Sequence, residues 1–217
     1  MTRPRRVVVV LGTATEVGKT WVSCRLLEAL RTAGTTVAAR KPAQSFDPPA
    51  PEGGPPTDAD LLAQASGEPP HEVCPKHRWY PVPLAPPMAA DRLGLAPIHL
   101  DDLVRELAWP DDVQVGLVET AGGARSPIAH DGDGAELARR LAADAAVLVA
   151  DAGLGTIHSV RVAVAALAPL PVVVVLNRFD GEDALHVDNR AWLVERDGFD
   201  VLTDIADLAA HPLLSVD

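Results

Sequence analysis

The stretch Val7-Val8-Val9-Val10-Leu11-Gly12-Thr13-Ala14-Thr15-Glu16-Val17-Gly18-Lys19-Thr20 decides the fold. Its first five residues form an unbroken apolar run rich in β-branched side chains, which reads as a strand buried on both faces. Gly12 to Gly18 is a loop bounded by glycines. From Lys19 a helical pattern runs to Ala33 and closes on Gly34. A strand, a loop ending in Gly-Lys-Thr and a helix form the context in which backbone N–H groups and a helix N-terminus surround phosphate oxygens. In such a loop Lys19 reaches the β- and γ-phosphates of a nucleotide, and the Thr20 hydroxyl ligates Mg2+. The spacing is longer than the common one, because five residues, Thr13 to Val17, separate Gly12 from Gly18.

Outward from this loop, apolar runs alternate with helical patterns. Further strands are expected at Thr36–Arg40, Val113–Glu119, Ala146–Asp151 and Val172–Leu176, with a weaker one near Phe199–Leu202. Helices are expected at Asp58–Ala65 (with Thr57 as N-cap), His99–Leu107, Gly134–Ala142, Ser159–Leu167 and His186–Arg196. This alternation predicts an α/β fold, one doubly wound, mostly parallel sheet with helices on both faces. Two segments break the rhythm. Phe46–Pro56 is rich in Pro and Gly and reads as a mobile loop, and Pro69–Pro87 is a long proline-punctuated connection of the kind that is usually functional or disordered.

The bulk properties fit one domain over residues 1–217, 47% hydrophobic, able to bury a core without staples. The net charge of -11 repels nucleic-acid backbones, so an anionic ligand needs a local cationic site. Cys24 and Cys74 form no CxxC pair, which fits a reducing compartment. The basic start before Val7 leads into the glycine loop rather than a cleavage site, and no apolar run approaches the ~20 residues of a membrane span. A cytoplasmic protein is expected, without nucleic-acid or membrane partners.

Several residues carry chemistry by type and place. Lys19 and Lys41 can concentrate positive charge, although Lys41 at a strand end also reads as a solvated edge charge. Thr20, Asp58 and Glu119 offer three hard oxygens for Mg2+, with Asp151 in reserve. Glu119 ends an apolar strand, where ligands bind in open α/β sheets, or else is a charge facing water. Asp58 beside Thr57 also reads as a favourable helix-start residue. Gly122 and Gly123 permit close backbone approach. His71 and His77, flanking Cys74, lack metal-ligand spacing and read as loop residues.

The ordered motifs resemble the dethiobiotin synthase family over about residues 7 to 178. The phosphate loop G-T-x-T-E-V-G-K-T has that family's longer spacing. Lys41-Pro42-Ala43-Gln44-Ser45, Asp58-Ala59-Asp60-Leu61-Leu62, Ala85-Pro86-Pro87-Met88-Ala89-Ala90, Glu119-Thr120-Ala121-Gly122-Gly123 and Gly153-Leu154-Gly155-Thr156-Ile157 follow in the family's order. The resemblance implies an ATP- and Mg2+-dependent ligase that closes a cyclic urea on 7,8-diaminopelargonic acid with CO2. An amine becomes a carbamate, the carbamate oxygen attacks the γ-phosphate, and the second amine displaces phosphate from the resulting carbamic–phosphoric anhydride.

By the same resemblance, Gly12, Thr13, Glu16, Val17, Gly18, Lys19 and Thr20 hold the nucleotide with Glu119, Gly122 and Gly123, and Asn177 contacts adenine. Lys19, Lys41, Ser45 and Thr15 serve the reaction, with Thr15 and Glu16 beside the diamine. A homodimer with Gly153–Ser159 near its two-fold axis is also implied.

Departures from the family pattern gather around the substrate: Ala14, Phe46, Thr120 and His158-Ser159. The favoured reading of Phe46 is a ring that narrows the diamine channel, and the other is an anchor for the Pro-rich loop. Val201–Ala206 is the nearest relic of the family's P-x-L-G-x-I-P segment, which bears on the base pocket. Two rivals remain, a relative acting on a different amine and a non-catalytic or ParA-like nucleotide-switched dimer. The absence of a second lysine early in the loop and the short acidic stretch after Ile205 favour an enzyme.

Overall fold

The computed structural model describes residues 2–47 and 55–216. Most of the Pro/Gly-rich segment expected to be a mobile loop lies outside the described residues. The chain begins with β1 (Arg6–Gly12), α1 (Lys19–Thr32), β2 (Val37–Arg40), a short β3 (Gln44–Ser45) and α2 (Asp58–Ser66). The proline-punctuated connection holds α3 (Pro70–Val73), a 3-10 turn, β4 (Trp79–Tyr80) and the start of α4 (Pro86–Arg92). Then follow α5 (Leu100–Glu106), β5 (Val115–Gly123), the small hairpin β6 (Pro127–Ala129) and β7 (Gly132–Asp133), α6 (Gly134–Arg140) and β8 (Ala145–Asp151). The remainder is α7 (Thr156–Leu167), β9 (Val172–Asn177), α8 (Ala184–Glu195), β10 (Asp200–Leu202) and α9 (Ile205–Ala209).

Six strands form one sheet in the order β10-β9-β8-β1-β5-β2, and every neighbouring pair is parallel. The strand period of two divides each buried run between the faces. Val8 and Val10 of β1 pack with Leu26, Leu27 and Leu62 beneath α1 and α2. Val7, Val9 and Leu11 pack on the opposite face with Ala135, Val160 and Leu193 of α6, α7 and α8. A smaller cluster around Tyr80, Ile98, Leu103 and Ile128 anchors the connection between α2 and β5.

Central β1 is flanked by β5 and β8, so the C-terminal ends of β1, β5, β8 and β9 present Gly12, Gly123, Asp151 and Asn177 along one edge. Several boundaries differ from expectation, and the end of β5 differs most. β5 does not stop at Glu119. It continues to Gly123, because Gly12 pairs with Gly123 after a register shift beyond Val10. The helix α4 carries Pro86 and Pro87 in its first turn, where the missing N–H groups cost nothing.

Candidate active site

The loop after β1 is held by close backbone approaches. A Cβ on Gly12 would lie 2.6 Å from the Ala14 carbonyl oxygen, and one on Gly18 would lie 2.1 Å from Asn177 Nδ2. Gly18 has φ 91, a conformation that glycine adopts without strain, and it leads directly into α1. No side chain caps α1 and no acidic residue stands in its first turn. Its free N–H groups and the positive end of its dipole therefore face the loop, an arrangement that accepts anions. Two residues from the far side brace the loop. Asn177 Nδ2 donates to the Val17 carbonyl at 2.9 Å, and Arg178 Nη2 donates to the Glu16 carbonyl at 2.9 Å.

Under the loop lies a cavity of about 620 Å³ bordered by Thr15, Glu16, Lys19, Thr20, Lys41, Ser45, Asp58 and Gly122. The structure thus gathers most of the expected site residues from four separate stretches of sequence. Glu119 lies behind the cavity wall, wholly buried. Gly123 and Thr13 instead border a neighbouring cavity of about 480 Å³ with His158 and Ser159.

The floor of the first cavity is a compact charge cluster. Lys41 Nζ lies 2.7 Å from Asp58 Oδ2 and 2.7 Å from Glu119 Oε1. The Thr20 hydroxyl lies 2.9 Å from both Asp58 Oδ1 and Glu119 Oε1, and its single proton serves one carboxylate at a time. Burial alone would strip the Lys41 proton, but the charges of Glu119 and Asp58 outweigh it and raise the pKa above the ordinary lysine value. Burial likewise pushes the Asp58 carboxyl up, while the Lys41 ammonium and the hydrogen bonds of Lys41 and Thr20 bring it below the usual carboxylate value. Lys19 goes the other way: burial, then the Lys41 charge, lowers its pKa. Two buried ammonium groups facing one cavity make a site that polyphosphate would relieve.

Glu119 does not face water, so its reading as a strand-end charge fails. Asp58 is an acidic residue in the first turn of α2, as its helix-start reading has it, while Thr57 and Asp60 form the capping box. Gln44 fixes the start of this helix, accepting from Ala59 N at 2.9 Å and donating to Thr57 Oγ1 at 3.3 Å. Asp58 is thereby turned toward Thr20 and Lys41. Asp151 pairs instead with Arg178 at 3.2 Å.

The donor set fits Mg2+. Thr20, Asp58 and Glu119 are all hard oxygen donors, and Glu119 Oε2 is buried with no hydrogen-bond partner. Among the described residues no group of three or more His, Cys, Asp or Glu is placed to hold a metal ion.

The departures around the substrate separate in space. Thr120 is buried, with its hydroxyl 3.4 Å from the Val10 carbonyl, and does not border the cavities on either side of Ala121 and Gly122. Phe46 borders a further cavity of about 760 Å³ with Thr15, Glu16, Ser45 and Gly122. Its ring also meets Trp79 edge-on, with centroids 6.3 Å apart. The Ser45 hydroxyl donates to the Leu84 carbonyl. The relic segment near Thr203 to Ile205 does form a cavity wall, facing Asn177 across about 770 Å³ of space. Sequence reasoning missed Arg178 and Gln44. An arginine two residues past an apolar strand and an unassigned glutamine inside the Lys41–Ser45 motif were the available signals.

A family model described as an AAA domain matches residues 6–210. The chain is 42% identical over 151 residues to the ATP-dependent dethiobiotin synthetase BioD of Caulobacter vibrioides (strain NA1000 / CB15N), covering 68% of this chain and 67% of that protein. It is 40% identical over 198 residues to the protein of the same name from Anaeromyxobacter dehalogenans (strain 2CP-C), covering 88% and 85%. For the Parafrankia sp. (strain EAN1pec) namesake the figures are 38% over 214 residues, 95% and 81%. Among solved structures, chloroplast FtsY from Physcomitrella patens superposes with a TM-score of 0.54 at 18% identity. That match covers 95% of this chain but only 61% of FtsY, and it speaks for the fold alone. A parallel sheet with Gly-Lys-Thr at its central strand end and this degree of identity lead to one conclusion: the chain belongs to the ATP-dependent dethiobiotin synthetase family of P-loop α/β enzymes.

Proposed function

We propose that this chain is an ATP- and Mg2+-dependent cyclo-ligase that makes dethiobiotin from 7,8-diaminopelargonic acid and CO2 in biotin biosynthesis. The observation that carries this reading is the convergence of Lys19, Lys41, Thr20 and Asp58 on one cavity beneath the loop after β1, with Glu119 paired to Lys41 behind its wall. Lys19 and the first N–H groups of α1 bind the β- and γ-phosphates. Thr20, Asp58 and Glu119 would hold Mg2+, which supplies charge neutralisation on the phosphates. Asn177, at the edge of the neighbouring cavity, faces the base.

The diamine fits the cavity bordered by Phe46, because that space shares Thr15, Glu16, Ser45, Ala121 and Gly122 with the phosphate cavity. One amine combines with CO2 and loses a proton to give the carbamate. Lys41 steadies the carbamate charge as its oxygen attacks the γ-phosphorus and ADP leaves. The second amine then attacks the carbonyl carbon, phosphate departs, and the ring closes with loss of the amine proton. Ser45 and the backbone at Gly122, which border both cavities, orient these groups. The enzyme acts in the cytoplasm as a homodimer. Leu154, which is 92% exposed in the turn after β8, supports an interface at Gly153–Ser159.

The deciding experiment measures phosphate release from ATP with bicarbonate, with and without the diamine, and the mass of the product. Diamine-dependent release and a product of dethiobiotin mass are expected, and Lys19→Ala should abolish both while keeping the fold. Diamine-independent hydrolysis with no new product would reject the assignment.

A further inference from the structure

Trp21 follows Gly-Lys-Thr directly. Because successive helical residues turn by about 100°, it leaves α1 on a different side from the catalytic Lys19. It is 54% exposed, an unusual state for the largest side chain. Its ring borders the cavity of about 770 Å³ that also touches Gly18, Asn177, Arg178 and Phe179. Arg25, Glu28 and Thr32 line the same wall at helical spacing. Gly18 and Arg178 border both this cavity and the phosphate cavity, so the two spaces meet at the start of α1. Among the described residues no aromatic ring pairs with Trp21.

A half-exposed indole that borders this cavity, next to the phosphate cavity at Gly18, is placed to cover a flat ring carried by the same ligand. We propose that Trp21 is the stacking platform for the nucleotide's base and sets a preference for purine over pyrimidine triphosphates. The proposal rests on the reading of the loop as a triphosphate site. Stacking accepts any base, and its strength grows with ring area, so a two-ring base gains more from the indole than a one-ring base. Asn177 holds the opposite edge of the cavity, and its amide is pinned by the bond to Val17.

The test compares the affinities of ATP, CTP and inorganic tripolyphosphate, each with Mg2+, by calorimetry on wild type, Trp21→Ala and Trp21→Phe. In Trp21→Ala, ATP should weaken by roughly tenfold and CTP by less, while tripolyphosphate is unchanged. Trp21→Phe should recover most of the loss. ATP, but not tripolyphosphate, should perturb the indole fluorescence, and that response should be diminished in Trp21→Ala. An unchanged ATP affinity, or an equal loss for ATP and tripolyphosphate, overturns the stacking role. Wild type that binds tripolyphosphate while Trp21→Ala leaves ATP untouched defeats the proposal alone. Wild type that binds neither ligand defeats the triphosphate reading with it.

Discussion

Lys41 Nζ sits 2.7 Å from Glu119 Oε1, in contact between two side chains that are 2% and 0% exposed. The same ammonium reaches Asp58, so one lysine bridges the two carboxylates that would otherwise repel each other. Removing it leaves the Glu119 charge buried without a partner, a loss on the order of 3–5 kcal/mol for a fully buried ion pair. The 41% exposure of the Asp58 side chain lets water screen its share. Lys41→Met should therefore unfold at a lower temperature in EDTA, and Mg2+ should restore part of the loss by taking the cation's place. Thermal unfolding with and without Mg2+ measures this, and a variant as stable as wild type in EDTA would contradict the cluster's energetics. Turnover should be lost in either case.

The depressed Asp58 pKa sets a pH dependence with a definite sign. A carboxylate held below its ordinary value of 3.8 contributes stability that is complete above that value and disappears as pH falls through the lower folded value. Wild type should be more stable than Asp58→Asn at neutral pH and still so at about pH 5. The gap should close only below the ordinary carboxylate range. Melting temperatures of both proteins across this range provide the check. A gap already gone at about pH 5 would mean that the Lys41 contact does not hold the carboxylate ionised.

Local patterns gave the fold its outline. The apolar run from Val7 and the glycine pair around the loop marked β1 and α1 within a residue or two, because burial and backbone geometry are written there in adjacent side chains. Glu119 shows where local reading stops. As the last residue of an apolar run it looks like an exposed strand end, and only the pairing of Gly12 with Gly123 reveals that the strand continues and buries it. The role of Gln44 depends likewise on α2 packing back against it, with Ala59 fifteen residues away donating to its side chain. The first turn of α4 was hidden by Pro86 and Pro87, which break a helix interior but not its start. Trp21 has the residue type of a core position, and nothing nearby in sequence announces the cavity that leaves it open.

Leu154 tests the proposed dimer. A leucine 92% exposed between Gly153 and Gly155 contributes nothing to its own subunit's core. Placed at a two-fold axis it would be covered by a second copy, and an aspartate there would bring two like charges together in an apolar contact. Sedimentation at micromolar concentration should show a dimer for wild type and a shift toward monomer for Leu154→Asp. A monomeric wild type, with or without nucleotide, would remove the dimer from the account.

Phe46 separates two ways of building the substrate cavity. The ring borders that cavity, yet it also leans edge-on against Trp79, at 88° between the planes, while its backbone N–H is bonded to the Tyr80 carbonyl. Trp79 is in turn tied by its indole N–H to the Cys74 carbonyl at 2.8 Å. The side chain is thus part of a braced wall that continues into the α1–α2 core. Phe46→Gly removes an aromatic contact of about 0.5–1.5 kcal/mol and adds backbone freedom costing about 0.5–1 kcal/mol. The variant should melt a few degrees lower and bind the diamine severalfold more weakly, while its KM for ATP stays the same. Phe46→Leu, which keeps bulk without the edge-to-face geometry, should fall between. Diamine saturation curves of the three proteins decide the matter. If the glycine variant instead uses 7,8-diaminopelargonic acid better than wild type, the ring obstructs the channel, and the native substrate is a different amine.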